Sequence, residues 1–507
     1  MKKYTYIALI IFGLFAGACS DSFLDTTSST TVSEEDSYKT DKDFISAIVG
    51  VYNNCQLHIV QGLLETLTLS DEAHAGGGGP TDFAHLQQME LFNVDAATTF
   101  GWWERMYGGI YKANIILQKL EGSHDATPDL ADRIKGEAYF MRALFYYHLF
   151  QMYGELVIVD HPLTVDEYYN QAKASTDEVY KFMLADIKEA IDLLPNSVEE
   201  KEMGRVTKDA AYVLKARIVL MANDESKMDE IATDMKTIID SKRYSLVDNF
   251  QWMWLREGEF CSESIWEIVF SSKSNWGTWN NLFGGEGNPL VIQVGYRVGE
   301  YALPPLASGW GAANPTAWLA NQFDRVNDTR FAGTLIDCNA LYASIGIPNF
   351  AEMIAPHWYN YSGYAHWKYN PKDGYTSETG IPELNYDINH RAMRYAEVLL
   401  IAAEATARGN KYPIALAQDY LDEIRKRAFK DNFVQIPITK ANWKEVIINE
   451  RCLELALEGF RYWDLMRLDL GEQYLSHIRW QPKHRYMPIP QETIDKSFGS
   501  IKQNPNY

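Results

Sequence analysis

Apolar residues return every third or fourth position along most of this chain, the spacing of helices with one buried face. The pattern is clearest over 443–469 (WKEVIINERCLELALEGFRYWDLMRLD). There Trp443, Val446, Ile447, Leu453, Ala456, Leu457, Phe460, Trp463 and Met466 form one stripe. It predicts a single long amphipathic helix whose charged residues lie on a solvated face. Glu458–Arg461 and Asp464–Arg467 stand three residues apart, where opposite charges meet along a helix. Gly459 inside that pattern costs about 1 kcal/mol against alanine, which implies close packing there. The same periodicity predicts helices over 42–60, 100–120, 131–153, 175–194 and 207–222. Ser175 and Thr176 open the fourth of these and Pro195 stops it, as capping rules require. Ala138, Ala143, Ala211 and Ala216 are small enough for helices to approach closely, as in tetratricopeptide (TPR) pairs. No clean repeat of about 34 residues is present, so the scaffold is TPR-like.

From 244 to about 389 the helical period fades, and Gly, Asn, Trp and Pro rise. Residues 264–270 (SIWEIVF) read as a strand and 290–294 as another. Trp276, Trp279, Phe283, Trp310, Trp318, Trp358 and Trp367 fall between or near turn residues. Helical arms at about 41–243 and 390–470 bracket this loop-rich region. The whole of 41–507 reads as one mostly α domain, a TPR-like helical-pair scaffold with an irregular insert containing a few short strands. Further upstream, Gly76, Gly77, Gly78 and Gly79 followed by Pro80 end any regular element and predict a mobile surface loop.

Residues 450–464 (ERCLELALEGFRYWD) resemble a C-terminal helix signature, Glu-Arg-x-x-Glu-Leu-x-x-Glu-Gly-x-Arg-x-x-Asp. It is that of the SusD/RagB family, surface nutrient-binding lipoproteins of Bacteroides-type bacteria. The preceding RYAEVLLIAAEA (394–405) is similar to the family's penultimate helix, and YMPIPQETID…QNPNY (486–507) to its closing segment. Cys452 stands where many members carry a second Arg, which implies a thinner charge network.

At the beginning, Lys2 and Lys3 precede an apolar run at 7–16, then Gly17-Ala18 and Cys19. A short apolar stretch with a basic flank and small residues at its end reads as a signal peptide rather than a membrane span. The cysteine directly after it marks a lipoprotein signal at 1–18, with Cys19 acylated. Ala16 stands where such signals usually have Leu. Residues 19–40 (opening CSDSFLDTTSST) resemble the family's polar tether to the cell surface.

Charge and cysteine content narrow the function. Lys and Arg number 47 against 68 Asp and Glu, a net charge of −21, which argues against a nucleic-acid partner. Cys55, Cys261, Cys338 and Cys452 show no zinc spacing. An oxidising compartment permits a disulfide, but buried free thiols are the simpler reading. Aromatic residues make up 13% of the chain; such rings stack on the apolar faces of sugars and also build cores. No GxSxG elbow, HExxH helix, Walker loop or GxGxxG turn occurs. A glycosidase would need a carboxylate pair, and no motif singles one out. The sequence therefore predicts no catalytic residue, no metal and no cofactor.

What the resemblance implies is a lid for a TonB-dependent, SusC-like outer-membrane transporter. Such a lid faces the cell exterior, captures an oligosaccharide and hands it over. A peptide-binding lid of the same family is the alternative, with a glycoside hydrolase further off. SGWGAANPTAWLANQFD resembles the family's Gly-Trp turn before a helix, which makes Trp310 the leading ligand-binding candidate. Trp276, Trp279 and Phe283 correspond to a second aromatic loop. Ser70-Asp71-Glu72 corresponds to a third contributing loop, where the starch-binding prototype carries a Trp and an Asn. Here that loop has His74 and four glycines, so starch is not implied. Asp71, Glu72 and His74 are the polar candidates, with Asp82 and His85 beside them.

Overall fold

The computed structural model of the chain describes residues 38–60, 62–98, 101–273, 285–377 and 380–507. The helices form where the apolar period and the capping residues place them. Helix α1 (Asp41–Asn54) begins at Thr40, which forms a reciprocal capping box with Asp43. Helices α2 (Trp102–Glu121), α3 (Pro128–Tyr153), α4 (Thr176–Leu193), α5 (Lys208–Ala222) and α6 (Met228–Asp240) follow. Ser175 and Glu178 cap α4 in the same reciprocal way. Each of these helices packs on the next, and α1 lies across α2 and α3. Ala138, Ala143, Ala211 and Ala216 are fully buried at these contacts.

The second arm comprises α7 (Tyr395–Arg408), α8 (Ile414–Phe429), α9 (Trp443–Glu454) and α10 (Arg461–Arg467). Helix α7 packs directly on α6, so the two arms make one continuous TPR-like stack although the insert separates them in sequence. Arg217 of α5 grips Glu397 of α7 at 2.7 Å across that join. The main hydrophobic core runs from Phe44 to Ile501. The molecule is mostly helical, and its strands are short antiparallel pairs.

The strands are β1 (Ala73–Ala75), β2 (Ser264–Ile268), β3 (Ala313–Pro315), β4 (Leu335–Asp337), β5 (Tyr364–His366) and β6 (His390–Arg394). They pair as β1 with β3, β2 with β6, and β4 with β5. The β2–β6 pair stitches the two ends of the insert together and lays Trp266 against Phe140 of α3. The insert also has its own small core, in which Tyr342 and Phe350 stack at 3.6 Å beside Trp358. Cys55, Cys261, Cys338 and Cys452 are all free thiols.

Two expectations are corrected. Residues 290–294 belong to a short helix, Pro289–Val294, opened by the Asn288 side chain and Pro289. It is buried on every side, and an apolar run of that length has no period that distinguishes helix from strand. The predicted long helix over 443–469 is broken in two. Helix α9 ends at Glu454, Leu457 takes φ +60° and Gly459 φ +82°, and α10 starts at Arg461. Gly459 is thus a turn residue in the left-handed region that glycine adopts freely. A Cβ there would stand 2.5 Å from Leu63.

The break redirects the charges. Only Asp464–Arg467 pairs locally, at 2.8 Å. Arg461 reaches Asp71 instead, and Glu458 takes Arg394 and Lys368 at 2.8 and 2.6 Å. Arg394, at the end of β6, also holds Glu263 and Glu454 at 2.8 and 2.7 Å. Arg330 joins Asp328 and Glu450 at 2.8 and 2.7 Å, Arg425 holds the other oxygen of Glu450, and Arg427 holds Glu454. All of these groups are buried, so the charged face is an interior network rather than a solvated surface. Burial pushes the Glu454 carboxyl up, but Arg427, Arg394 and Arg330 outweigh it and hold the group well below the usual carboxylate range.

Breaking such a network strands buried charges. Arg394→Met leaves Glu263, Glu454 and Glu458 short of their main partner and is expected to cost about 3–5 kcal/mol, read as a drop in the urea midpoint. A loss under about 1 kcal/mol, the range of an exposed pair, would contradict the network's structural role.

Candidate functional site

The site grows from the loop that joins the short helix Leu63–Thr68 to β1. Asp71 turns inward and makes a two-pronged ion pair with Arg461 at 2.9 and 2.8 Å, which bolts the loop to α10. Glu72 is enclosed beside it and accepts the Leu457 backbone N–H. Burial, and then the charge on Asp71, pushes the Glu72 carboxyl up to about 8. Asp71 and Glu72 are only 5% and 1% exposed. Expected from the sequence as ligand contacts, they lie enclosed in this structure and anchor the loop.

Strand β1 then pairs with β3, and the glycines extend the ladder. Gly76 and Gly77 donate to the Ala312 and Gly311 carbonyls at 2.8 and 2.7 Å, and Gly77 accepts from Tyr359 N–H at 2.9 Å. A Cβ on Gly76 would meet the Gly311 oxygen at 2.1 Å, and one on Gly78 the Arg297 guanidinium at 2.6 Å. Gly76, Gly77 and Gly78 are therefore glycine for close approach, whereas a Cβ on Gly79 would meet nothing within 4 Å. The first two residues are buried and bonded instead of forming a mobile loop, a second correction. Asp82 accepts the Gly78 N–H at 2.7 Å and fixes the exposed half of the turn.

Two aromatic rings meet above this base. Trp310 lies on the turn that feeds β3 and donates its backbone N–H to Ile292 at 2.7 Å. Its half-buried ring rests on Val291, Ile292, Tyr386 and Ile388. Phe83 faces it, with ring centroids 6.3 Å apart and planes tilted by 36°. Phe83 sits in the left-handed region, φ +48° and ψ +46°, a conformation that costs a bulky residue about 1–3 kcal/mol and concentrates at binding sites. Asn314 braces the floor, accepting from the Trp358 indole at 2.7 Å and donating to the Tyr359 carbonyl at 2.9 Å.

His74 is half-exposed on β1, with Nδ1 2.7 Å from Glu90, which also accepts the Ala75 N–H. His85 is 3.8 Å from Glu65 and half-buried beneath the same loop. Trp276, Trp279 and Phe283 lie outside the described residues. The flanks of that segment converge on the floor under Trp310: Ser271 N–H bonds the Glu286 carbonyl, and Asn288 N–H bonds Tyr386, both at 2.7 Å. Phe83 and Arg297 are rim residues that sequence reasoning missed. The one signal for Phe83 is an aromatic residue directly after the polar turn Pro80-Thr81-Asp82.

Chemically, the rim offers two aromatic faces, an imidazole, a guanidinium and a carboxylate around an open turn. Glu65 and Glu72 carry carboxyls that burial pushes up to about 7 and about 8, yet both are enclosed and neither can reach a ligand. Among the described residues no cluster of His, Cys, Asp and Glu could hold a metal ion.

These buried acids set a pH dependence. Each holds a proton in the folded state that the unfolded chain releases near pH 4.5. Their stabilisation is complete below that value and is lost as pH rises toward 7 and 8. His148, His366, His390 and His484, depressed by burial to about 3, 4, 4 and 4, act in the opposite sense while their unfolded imidazoles titrate around pH 6.5, and drop out only above about pH 7.5. Thermal stability is therefore expected to fall from about pH 7.5 to 8.5, and Glu72→Gln to flatten that fall. An unchanged slope in the variant would contradict the assignment.

Comparison with known proteins places this architecture. A family model described as "SusD family" matches residues 262–484, and one described as "Starch-binding associating with outer membrane" matches residues 23–220. SusD-like protein P2 of Formosa agariphila is 26% identical, over 100% of both chains. A solved structure of surface glycan-binding protein A from Bacteroides thetaiotaomicron in complex with laminarihexaose is 26% identical, with a TM-score of 0.82. The match covers 92% of this chain and 100% of that one. A laminarin binding SusD-like protein is 28% identical with a TM-score of 0.81, covering 93% and 100%.

Proposed function

This chain belongs to the SusD/RagB family, and from that premise we propose that it is a glycan-binding lipoprotein of the outer membrane. In this reading it captures an oligosaccharide at the Trp310–Phe83 rim and delivers it, as a lid, to a partner TonB-dependent transporter. The observation that carries the reading is the aromatic pair itself. Trp310 is seated on an apolar floor and Phe83 is held in a strained backbone, so both rings are fixed before any ligand arrives. Flat apolar faces suit the C–H faces of a sugar ring, while Asp82 and Arg297 meet at the glycine turn beside Phe83 as hydrogen-bonding groups. The laminarin binding SusD-like protein and the laminarihexaose complex of its relative add weight to a saccharide ligand.

No helix among the described residues is long and apolar enough to cross a membrane. Attachment in this reading rests on acylated Cys19, which lies outside the described residues. Handover demands release, so moderate affinity serves better than tight binding. The enclosed state of Glu65 and Glu72 favours a binder over a hydrolase at this site, and no turnover of the bound glycan is expected.

Calorimetry with a panel of plant, mucin and fungal oligosaccharides tests the proposal. Trp310→Ala is expected to weaken the bound glycan at least tenfold, about 1.4 kcal/mol, and Phe83→Ala by several-fold, with melting temperatures near wild type. Equal affinity in Trp310→Ala would remove the rim as the binding site.

A further inference from the structure

A second cleft, of about 330 Å³, opens where the connection between α4 and α5 passes over β2. Its volume lies in the range of small-ligand pockets. None of its lining residues belongs to the loops that carry Trp310, Phe83 or the glycines. The buried Trp266 closes its floor and donates its indole N–H to the Gly204 carbonyl at 3.0 Å, which ties floor to rim. Tyr244 and Phe260 line it as half-buried rings, and the exposed Asn196 and Ser197 bring an amide and a hydroxyl. Phe260 is held at φ +51° by its N–H bond to Glu267 at 2.8 Å. A second strained aromatic residue thus lines a second concavity.

The charged groups of this cleft are already neutralised. Arg243 is paired with Asp209 at 2.9 and 2.7 Å, and Arg205 with Glu137 at 2.8 Å. Glu267 is saturated by Phe260 N–H, Ser264 and Asn389. An anion finds no unpaired cation there, and a cation finds no free carboxylate. What remains is aromatic surface beside neutral hydrogen-bonding groups, in a space for one or two rings. We propose that this cleft is a second saccharide site, taking one or two uncharged sugar rings and separate from the Trp310 rim. The assignment of ligand class rests on the reading of the chain as a glycan binder, whereas the location does not.

Saturation-transfer NMR with cellobiose, laminaribiose and maltose separates the two sites. The proteins compared are wild type, Trp310→Ala, Ser197→Trp and the double variant. Ser197 is exposed, so the introduced indole fills the cleft without disturbing the core, and a melting curve checks the fold. At least one disaccharide is expected to bind Trp310→Ala, and the double variant to bind it at least tenfold more weakly. Phe260→Ala in place of Ser197→Trp is expected to do the same. If Trp310→Ala alone is silent, the second site is overturned while the rim stands; if the double variant binds as Trp310→Ala does, the second site is overturned, and the rim stands only where Trp310→Ala binds more weakly than wild type. If Ser197→Trp alone abolishes binding and Trp310→Ala leaves it intact, the cleft stands and the rim fails. A silent wild type overturns both.

Discussion

The guanidinium of Arg394 is the point on which this structure turns. It sits at the junction of β6 and α7, fully enclosed, and joins Glu263 from the insert's first strand region to Glu454 and Glu458 near the chain end. Arg330 and Lys368 carry the same network outward into the insert. One residue beyond Glu458 the chain turns at Gly459, and Arg461 then fastens Asp71, from which β1 and the glycine turn proceed. The route from the interior ions to the exposed aromatic rim is short and continuous. A buried network of this kind contributes little net stability over apolar packing, yet punishes any rearrangement that unpairs it. Its effect here is to specify one arrangement of insert on scaffold.

That logic explains which features the sequence could disclose. Helices α3 and α4 were legible because their stripes are long and their ends carry Gly154 for α3 and Ser175 and Pro195 for α4, all local signals. The strand expected at 264–270 was legible from its β-branched and aromatic content, and forms over Ser264–Ile268. The partners of Glu458 and Arg461 were not, because a spacing of three residues describes a pair that a helix would make, and the helix is interrupted by a glycine whose φ no pattern reports. The glycine quartet was misread for a related reason. Composition says that glycine tolerates a mobile turn, whereas the packing of Gly311 and Arg297 against residues 76 and 78 shows that it is needed for contact. Asp71 and Glu72 were located correctly in the loop, but their direction depended on an arginine far along the chain.

The candidate rim combines rigid and open parts. Beneath it, β1, β3 and the 355–361 turn are cross-braced through Asn314, while above it Phe83 and Trp310 stay half-exposed. A surface organised in this way loses little conformational freedom when a sugar stacks on it, so weak contacts suffice for recognition. Weak contacts also suit the release that the proposed capture-and-delivery role requires. The net charge of −21 disfavours polyanionic ligands.

The most direct measurement is a crystal structure with the oligosaccharide that binds best. The account predicts a sugar ring in van der Waals contact with Trp310 and Phe83, about 3.5–4 Å away, with the Asp71–Arg461 pair undisturbed beneath it. A sugar bound with no atom near Trp310, or one that draws Asp71 or Glu72 out to meet it, would contradict the account.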